Sequence, residues 1–260
     1  EDLFHLSTSM CPAHRGVVLA EIRERLRTGQ PCLLVSTQCV EAGVDVDFPV
    51  VYRALGPLDA IAQAAGRCNR NGRADLGLIH VFVPECGAEE YLYPDGAYRQ
   101  AAAVLGILLA KHGAPAVDIH QPSIFEEYYR QLYDLARPQD RAEELLRAIR
   151  LQNFETVAQE YRLIKRDALD VLVPYQLEVF EALRSEVTTG LTAKWIRRAR
   201  PYTIGLFKPK PGDPAAAFLE PLPIIRKGVK SDQWFIYLCP QHYHHRKGLV
   251  LPTASECLIA

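Results

Sequence analysis

Four short apolar runs in the first 84 residues, separated by segments of helical periodicity, constrain this fold more than any other feature. They lie at residues 3–8, 32–35, 50–55 and 78–83. Between the first two, a helix is predicted from Pro12 to about Arg27. It sets Val17, Val18, Leu19, Ile22 and Leu26 against charged residues on its other side, and Thr28-Gly29-Gln30 stops it. Strands alternating with helices argue for a parallel, doubly wound sheet, and the unbroken apolar run at 32–35 suits a strand covered on both faces. Sheets of this kind bind ligands in the loops at the carboxyl ends of their strands. Ser7 and Thr8 stand at one such end, and Ser36 and Thr37 at another. Hydroxyls and backbone N–H groups placed there can hold phosphates without reading bases, although Ser and Thr are also ordinary cap and turn residues.

Residues 63–72, Gln-Ala-Ala-Gly-Arg-Cys-Asn-Arg-Asn-Gly, concentrate the chemistry. The segment before them reads as a helix that Asp59 could cap. If the helix continues, Gln63, Arg67 and Arg70 at i, i+4 and i+7 all face one way. Two guanidiniums aimed at one spot repel each other unless an anion lies between them, and a nucleotide γ-phosphate matches the arginine fork. Gly66 beside them leaves room for close approach.

Together, residues 35–48 and 63–72 resemble the fifth and sixth motifs of superfamily 2 helicases. The likeness narrows with Leu6-Ser-Thr-Ser-Met-Cys-Pro-Ala-His-Arg15, the 37–47 stretch, and the Cys68-Asn69 pair between the two arginines. These look like the helicase–nuclease of type I CRISPR interference. That resemblance implies a RecA-like fold that binds ATP, with Arg67 and Arg70 as sensor and arginine finger and Gln63 aligning them. Gly43, Asp45 and Gly66 would approach the nucleotide. Ser7, Thr8 and Thr37 would hold the backbone of single-stranded DNA. It further implies a nuclease domain, a second helicase domain and an RNA-guided effector complex as partners.

The sequence has no G-x-x-x-x-G-K-[ST] loop, no Asp-Glu box for Mg2+ and no His-Asp pair for a nuclease metal. The Mg2+ ligands are therefore expected from the missing first helicase domain, and no metal site is expected here. The family places a strand–helix unit ahead of the Leu6 element, so the chain reads as part of something longer, inactive by itself. Seven cysteines, none in a C-x-x-C pair, and a net charge of −1 suggest a soluble cytoplasmic protein with reduced thiols and no membrane association.

Past residue 86 the character changes. Helices are predicted at 98–112, 123–136, 139–151 and 154–163, followed by β-like runs at 170–173, 202–207, 218–225 and 234–238. The expected architecture is α/β. Residues 1–115 would form an incomplete RecA-like parallel sheet with flanking helices, and 116–260 a smaller accessory domain of helices and strands. Within the latter, residues 188–211 hold six basic residues and no acidic one, interleaved with Trp195 and Tyr202. Trp195, Arg197 and Arg198 thus suit a single-strand path, with charge tracking phosphates and rings stacking bases. An ordinary basic surface helix with Trp195 in the core fits the same residues. Cys239 and His242 have zinc-like spacing, but only Cys257 is near enough to add, so a hairpin turn is expected. Two other functions stay open: a DNA-repair or RNA helicase of the same superfamily, and a non-catalytic docking module.

Overall fold

The computed structural model describes residues 2–41, 43–72, 76–84, 93–135, 141–160, 168–187, 190–224 and 229–252. Cys86 and Cys257 lie outside them. The fold is α/β. In chain order its elements are β1 (Leu3–Leu6), α1 (Pro12–Thr28), β2 (Leu33–Ser36), β3 (Val50–Ala54), α2 (Leu58–Ala65), β4 (Leu78–Phe82), α3 (Gly96–His112), α4 (Pro122–Leu135), α5 (Arg141–Arg150) and α6 (Phe154–Glu160). Then come β5 (Ala168–Leu172), α7 (Leu177–Glu186), α8 (Ala193–Ala199), β6 (Thr203–Phe207), β7 (Leu219–Pro223), β8 (Lys230–Tyr237), β9 (Tyr243–His244) and β10 (Gly248–Leu249). Two compact units emerge: residues 1–40 with 166–260, and residues 41–165. No helix among the described residues is long and apolar enough to cross a membrane.

In the first unit, β1 and β2 pair in parallel, with Leu6 opposite Ser36. A four-stranded sheet in the order β6-β5-β8-β7 carries the rest, with β5 parallel to β8 and antiparallel to β6. Alternation along β5 divides its side chains between two cores. Leu172 faces Phe180, Leu183 and Trp195 of α7 and α8. Leu169 and Val171 face Cys11, Tyr237 and Leu249 instead, which ties the start of α1 to the chain's last strands.

In the second unit, β3 and β4 form another parallel pair. Leu58 and Ile61 of α2 pack with Val104, Leu105 and Leu108 of α3 and with Ile124 and Tyr128 of α4. That spacing is what one apolar helix face requires. The expected boundary near residue 115 falls between α3 and α4, which share this core.

The strand–helix alternation is as expected, but the four strands pair two and two. Each pair also has one bare face: Leu33 and Val35 are 65 and 60% exposed, and Tyr52 is 70% exposed. The expectation that both faces of the 32–35 strand are covered is not met within this chain.

Candidate nucleotide and nucleic-acid site

The arginine motif does not ride on a helix. α2 ends at Ala65, and Gly66 closes it with its N–H on the Ala62 carbonyl at 3.0 Å. Asn69 then takes a left-handed φ of 48°, which a helix cannot absorb. The backbone from 67 to 69 is drawn onto Phe48 instead: Phe48 N–H donates to Arg67 O and Asn69 N–H to Phe48 O, both at 2.9 Å. Asp47 completes the turn. Its carboxylate accepts the Arg70 N–H at 2.7 Å and the Asn71 side-chain amide at 2.8 Å. The expected i, i+4, i+7 face of Gln63, Arg67 and Arg70 is therefore replaced by a turn pinned to the preceding motif, while Gln63 stays exposed on α2.

Both arginines point at that motif. Arg67 Nη2 donates to the Glu41 carbonyl at 2.7 Å, and Arg70 Nε lies 3.4 Å from Asp45 Oδ1. Glu41 is itself gripped from the other side. Arg53 Nη2 donates to its carboxylate at 2.7 Å and to the Tyr98 hydroxyl at 2.6 Å. Burial pushes the Glu41 carboxyl up, against the pull of the Arg53 guanidinium. Gly43 holds a φ of 73° with nothing within 4 Å of where a Cβ would stand, so the turn beside the arginines is open. Gly66 has an ordinary φ, and a Cβ there would meet only carbonyl oxygens of its own helix. Glu41, Arg53 and Tyr98 escaped the sequence reading because each acts by tertiary contact, and Asp47, legible only as part of the preceding motif, gave no sign there that it pins the arginine turn. The only sequence signal was an arginine in the middle of an apolar strand.

Two guanidiniums beside an open glycine turn fit the phosphate end of a nucleotide, and the exposed Asp45 carboxylate, an acceptor, occupies Arg70. Among the described residues no group of three His, Cys, Asp or Glu side chains is placed to hold a metal ion.

At the carboxyl ends of β1 and β2, Thr37 N–H donates to Leu6 O at 3.0 Å and Met10 N–H closes a turn on Ser7 O at 3.2 Å. Thr8 and Thr37 are exposed there. Ser7 departs from expectation: it is 6% exposed, with its hydroxyl buried and unpartnered, so its side chain does not reach a DNA backbone.

Trp195 also departs from expectation. It is 4% exposed, its indole N–H donates to Leu183 O at 2.9 Å, and its ring meets Trp234 edge-on at 5.7 Å. No face is left for a base. The basic surface survives in part. Arg197 is exposed, whereas Arg198 pairs with Glu186 at 2.6 Å, a partner that the local sequence concealed. The aromatic ring offered to solvent in this stretch is Phe207, 81% exposed beside Lys208. His242 is engaged with the Tyr237 hydroxyl at 2.7 Å, next to the expected hairpin.

Residues 1–73 match the family described as CRISPR-associated nuclease/helicase Cas3, C-terminal. A Cas3 nuclease/helicase of Haloferax volcanii is 51% identical over 55 residues, covering 21% of this chain and 6% of that protein. A putative Cas3 nuclease/helicase of Methanocaldococcus jannaschii is 40% identical over 52 residues, or 19% and 7% of the two chains. Among solved structures, T. fusca Cas3 with ATP superposes with a TM-score of 0.51 at 19% identity, over 90% of this chain and 32% of that one. A CRISPR RNA-guided surveillance complex, pre-nicking, gives 0.50 at 19% identity over 97% and 35%. The chain thus spans about a third of the solved chains it matches.

Proposed function

We propose that this chain, whose residues 1–73 match the Cas3 C-terminal family model, supplies one half of the nucleotide site of an ATP-driven single-stranded DNA translocase. That translocase unwinds foreign DNA and helps degrade it in type I CRISPR interference. It acts in the cytoplasm beside an RNA-guided effector complex. Arg67 and Arg70 stabilise the charge on the γ-phosphate, since positioned guanidiniums facing developing charge are worth more than any covalent role a side chain could play there. Gly43 and Asp45 border the nucleotide. Bound ATP supplies the bond whose cleavage drives movement, and the first helicase domain supplies the ligands for its Mg2+. Thr8 and Thr37 hold the DNA backbone. Arg197, with Lys208 and Lys210, tracks phosphates further along, and Arg198 joins them only by leaving Glu186.

The single observation that carries this reading is that Arg67 reaches Glu41 and Arg70 reaches Asp45, on either side of the open turn at Gly43. The test is ATP hydrolysis by the nuclease–helicase carrying this chain. Arg70→Ala is expected to cost roughly 10³-fold in rate with the fold intact. A variant still within about tenfold of wild type contradicts an arginine-finger role, because such fingers are worth at least two orders more.

A further inference from the structure

The Cys-Pro-Ala-His-Arg element at 11–15 has no part in the nucleotide or DNA contacts above, yet it is among the most completely enclosed parts of the first unit. Cys11 is fully buried and His14 is 3% exposed. His14 Nδ1 lies 3.0 Å from the Tyr243 hydroxyl, and Nε2 lies 2.9 Å from the His245 carbonyl oxygen. A carbonyl only accepts, so Nε2 carries the proton and Nδ1 accepts from Tyr243. The same hydroxyl accepts the Cys11 N–H at 3.2 Å. Tyr175 stacks on the imidazole with ring centres 4.5 Å apart. Two residues before the cluster, Leu249 N–H donates to Ser9 O at 2.8 Å. Gly248, at φ 80°, packs so closely there that a Cβ would overlap the Ser9 carbonyl and come within 2.6 Å of the Met10 nitrogen.

Among the described residues the turn that presents Thr8 has one backbone bond of its own, Met10 N–H to Ser7 O. From more than 230 residues along the chain, Leu249 N–H of β10 holds Ser9 O, and the Tyr243 hydroxyl of β9 holds the N–H of Cys11, the residue that follows the turn. We propose that the β9–β10 hairpin is the positioning element for the 7–10 turn. His14, Tyr243 and Gly248 fix the backbone from which Thr8 meets a DNA phosphate, and they touch no nucleic acid themselves. The accessory region thereby sets the grip of the helicase core on its strand. This rests on the reading that Thr8 contacts DNA.

The experiment compares Thr8→Ala, Gly248→Ala, Tyr243→Phe and the Thr8→Ala/Tyr243→Phe double variant in the nuclease–helicase carrying this chain. Oligo-dT affinity, DNA-free and DNA-stimulated ATP hydrolysis, and melting temperature are measured for each. Gly248→Ala is expected to weaken oligo-dT binding about fivefold, the weight of one hydrogen bond, with DNA-free hydrolysis unchanged. Tyr243→Phe keeps the ring and removes only the bridging hydroxyl, so it remains informative if Gly248→Ala fails to fold. Combined with Thr8→Ala it should weaken binding no further than Thr8→Ala alone, whereas a purely structural loss elsewhere would add. Wild-type affinity in Thr8→Ala overturns the DNA reading itself. Weakened Thr8→Ala together with a folded Tyr243→Phe that binds like wild type, or with additive losses, overturns the positioning role.

Discussion

Two side chains show how burial converts an apparent functional group into a structural one. Trp195 fills the core between α7, α8 and β8 and gives its one side-chain donor to the Leu183 carbonyl. Trp195→Ala is therefore expected to destabilise by about 3–5 kcal/mol, the range for deleting a buried aromatic. Thermal melts should register this, while the folded fraction keeps its affinity for single strands; a loss of affinity without a drop in melting temperature would restore the stacking role. His14 makes a prediction in pH. Burial pushes its imidazole below the ordinary 6.5, and the bond to the His245 carbonyl pulls the other way. Tyr175, Tyr243 and Cys11 close around the ring, and no carboxylate among its described neighbours favours a positive charge. The folded state thus keeps His14 neutral, while the unfolded chain takes up a proton below about 6.5. Stability from this group is present above that value and is lost as pH falls toward the lowered folded value. Melting temperature should fall between about pH 7.5 and 5.5, and His14→Asn should flatten that slope even though its melting temperature is lower throughout.

At the scale of elements, the turn after α2 matters more than the helix. Asp47 takes the N–H of Arg70 and two donors from Asn71, which sets the direction in which Arg70 leaves the backbone. Asp47→Ala should lower stability by about 1–3 kcal/mol, because it strands backbone donors that were paired to a charge. It should also slow ATP hydrolysis by the complete enzyme through kcat more than KM. Asp47→Asn, which keeps an acceptor, should recover part of both; equal losses in the two variants would argue against a geometric role. The sequence made the strands, α1, α3 and α4 legible because periodicity along one element is a local property. It also singled out Arg67 and Arg70 as paired cations, and both side chains lie against residues of the preceding motif. It misjudged what they hang from, because helix termination here depends on Asn69 adopting a left-handed conformation and on pairing with Phe48, neither of which periodicity records. Likewise the 188–211 stretch reads as unbalanced charge only until Glu186, on α7, meets Arg198 across space.

On the proposal above, the chain supplies one half of a catalytic arrangement, and its two parallel strand pairs each leave a face bare. Parallel strands are stable when both faces of the sheet are covered. Here β1–β2 leaves Leu33 and Val35 exposed, and β3–β4 leaves Tyr52 and His80 stacked on each other in the open at 4.8 Å. The arginine turn is built, with Arg67 directed at Glu41 and Arg70 at Asp45. The 260 residues contain no G-x-x-x-x-G-K-[ST] loop and no Asp-Glu box, the motifs that would cradle the other phosphates and hold Mg2+. Phosphoryl transfer depends on a positioned metal as much as on guanidiniums, because the metal carries charge on oxygens that the arginines do not reach. The chain purified alone is thus expected to show no ATP hydrolysis above that of an Arg67→Ala control. Adding the complementary helicase domain should restore hydrolysis to the wild-type pair and not to the pair carrying Arg67→Ala. Hydrolysis by the isolated chain that vanishes in Arg67→Ala would mean that these residues assemble a complete site by themselves, and the division of labour proposed here would have to be abandoned.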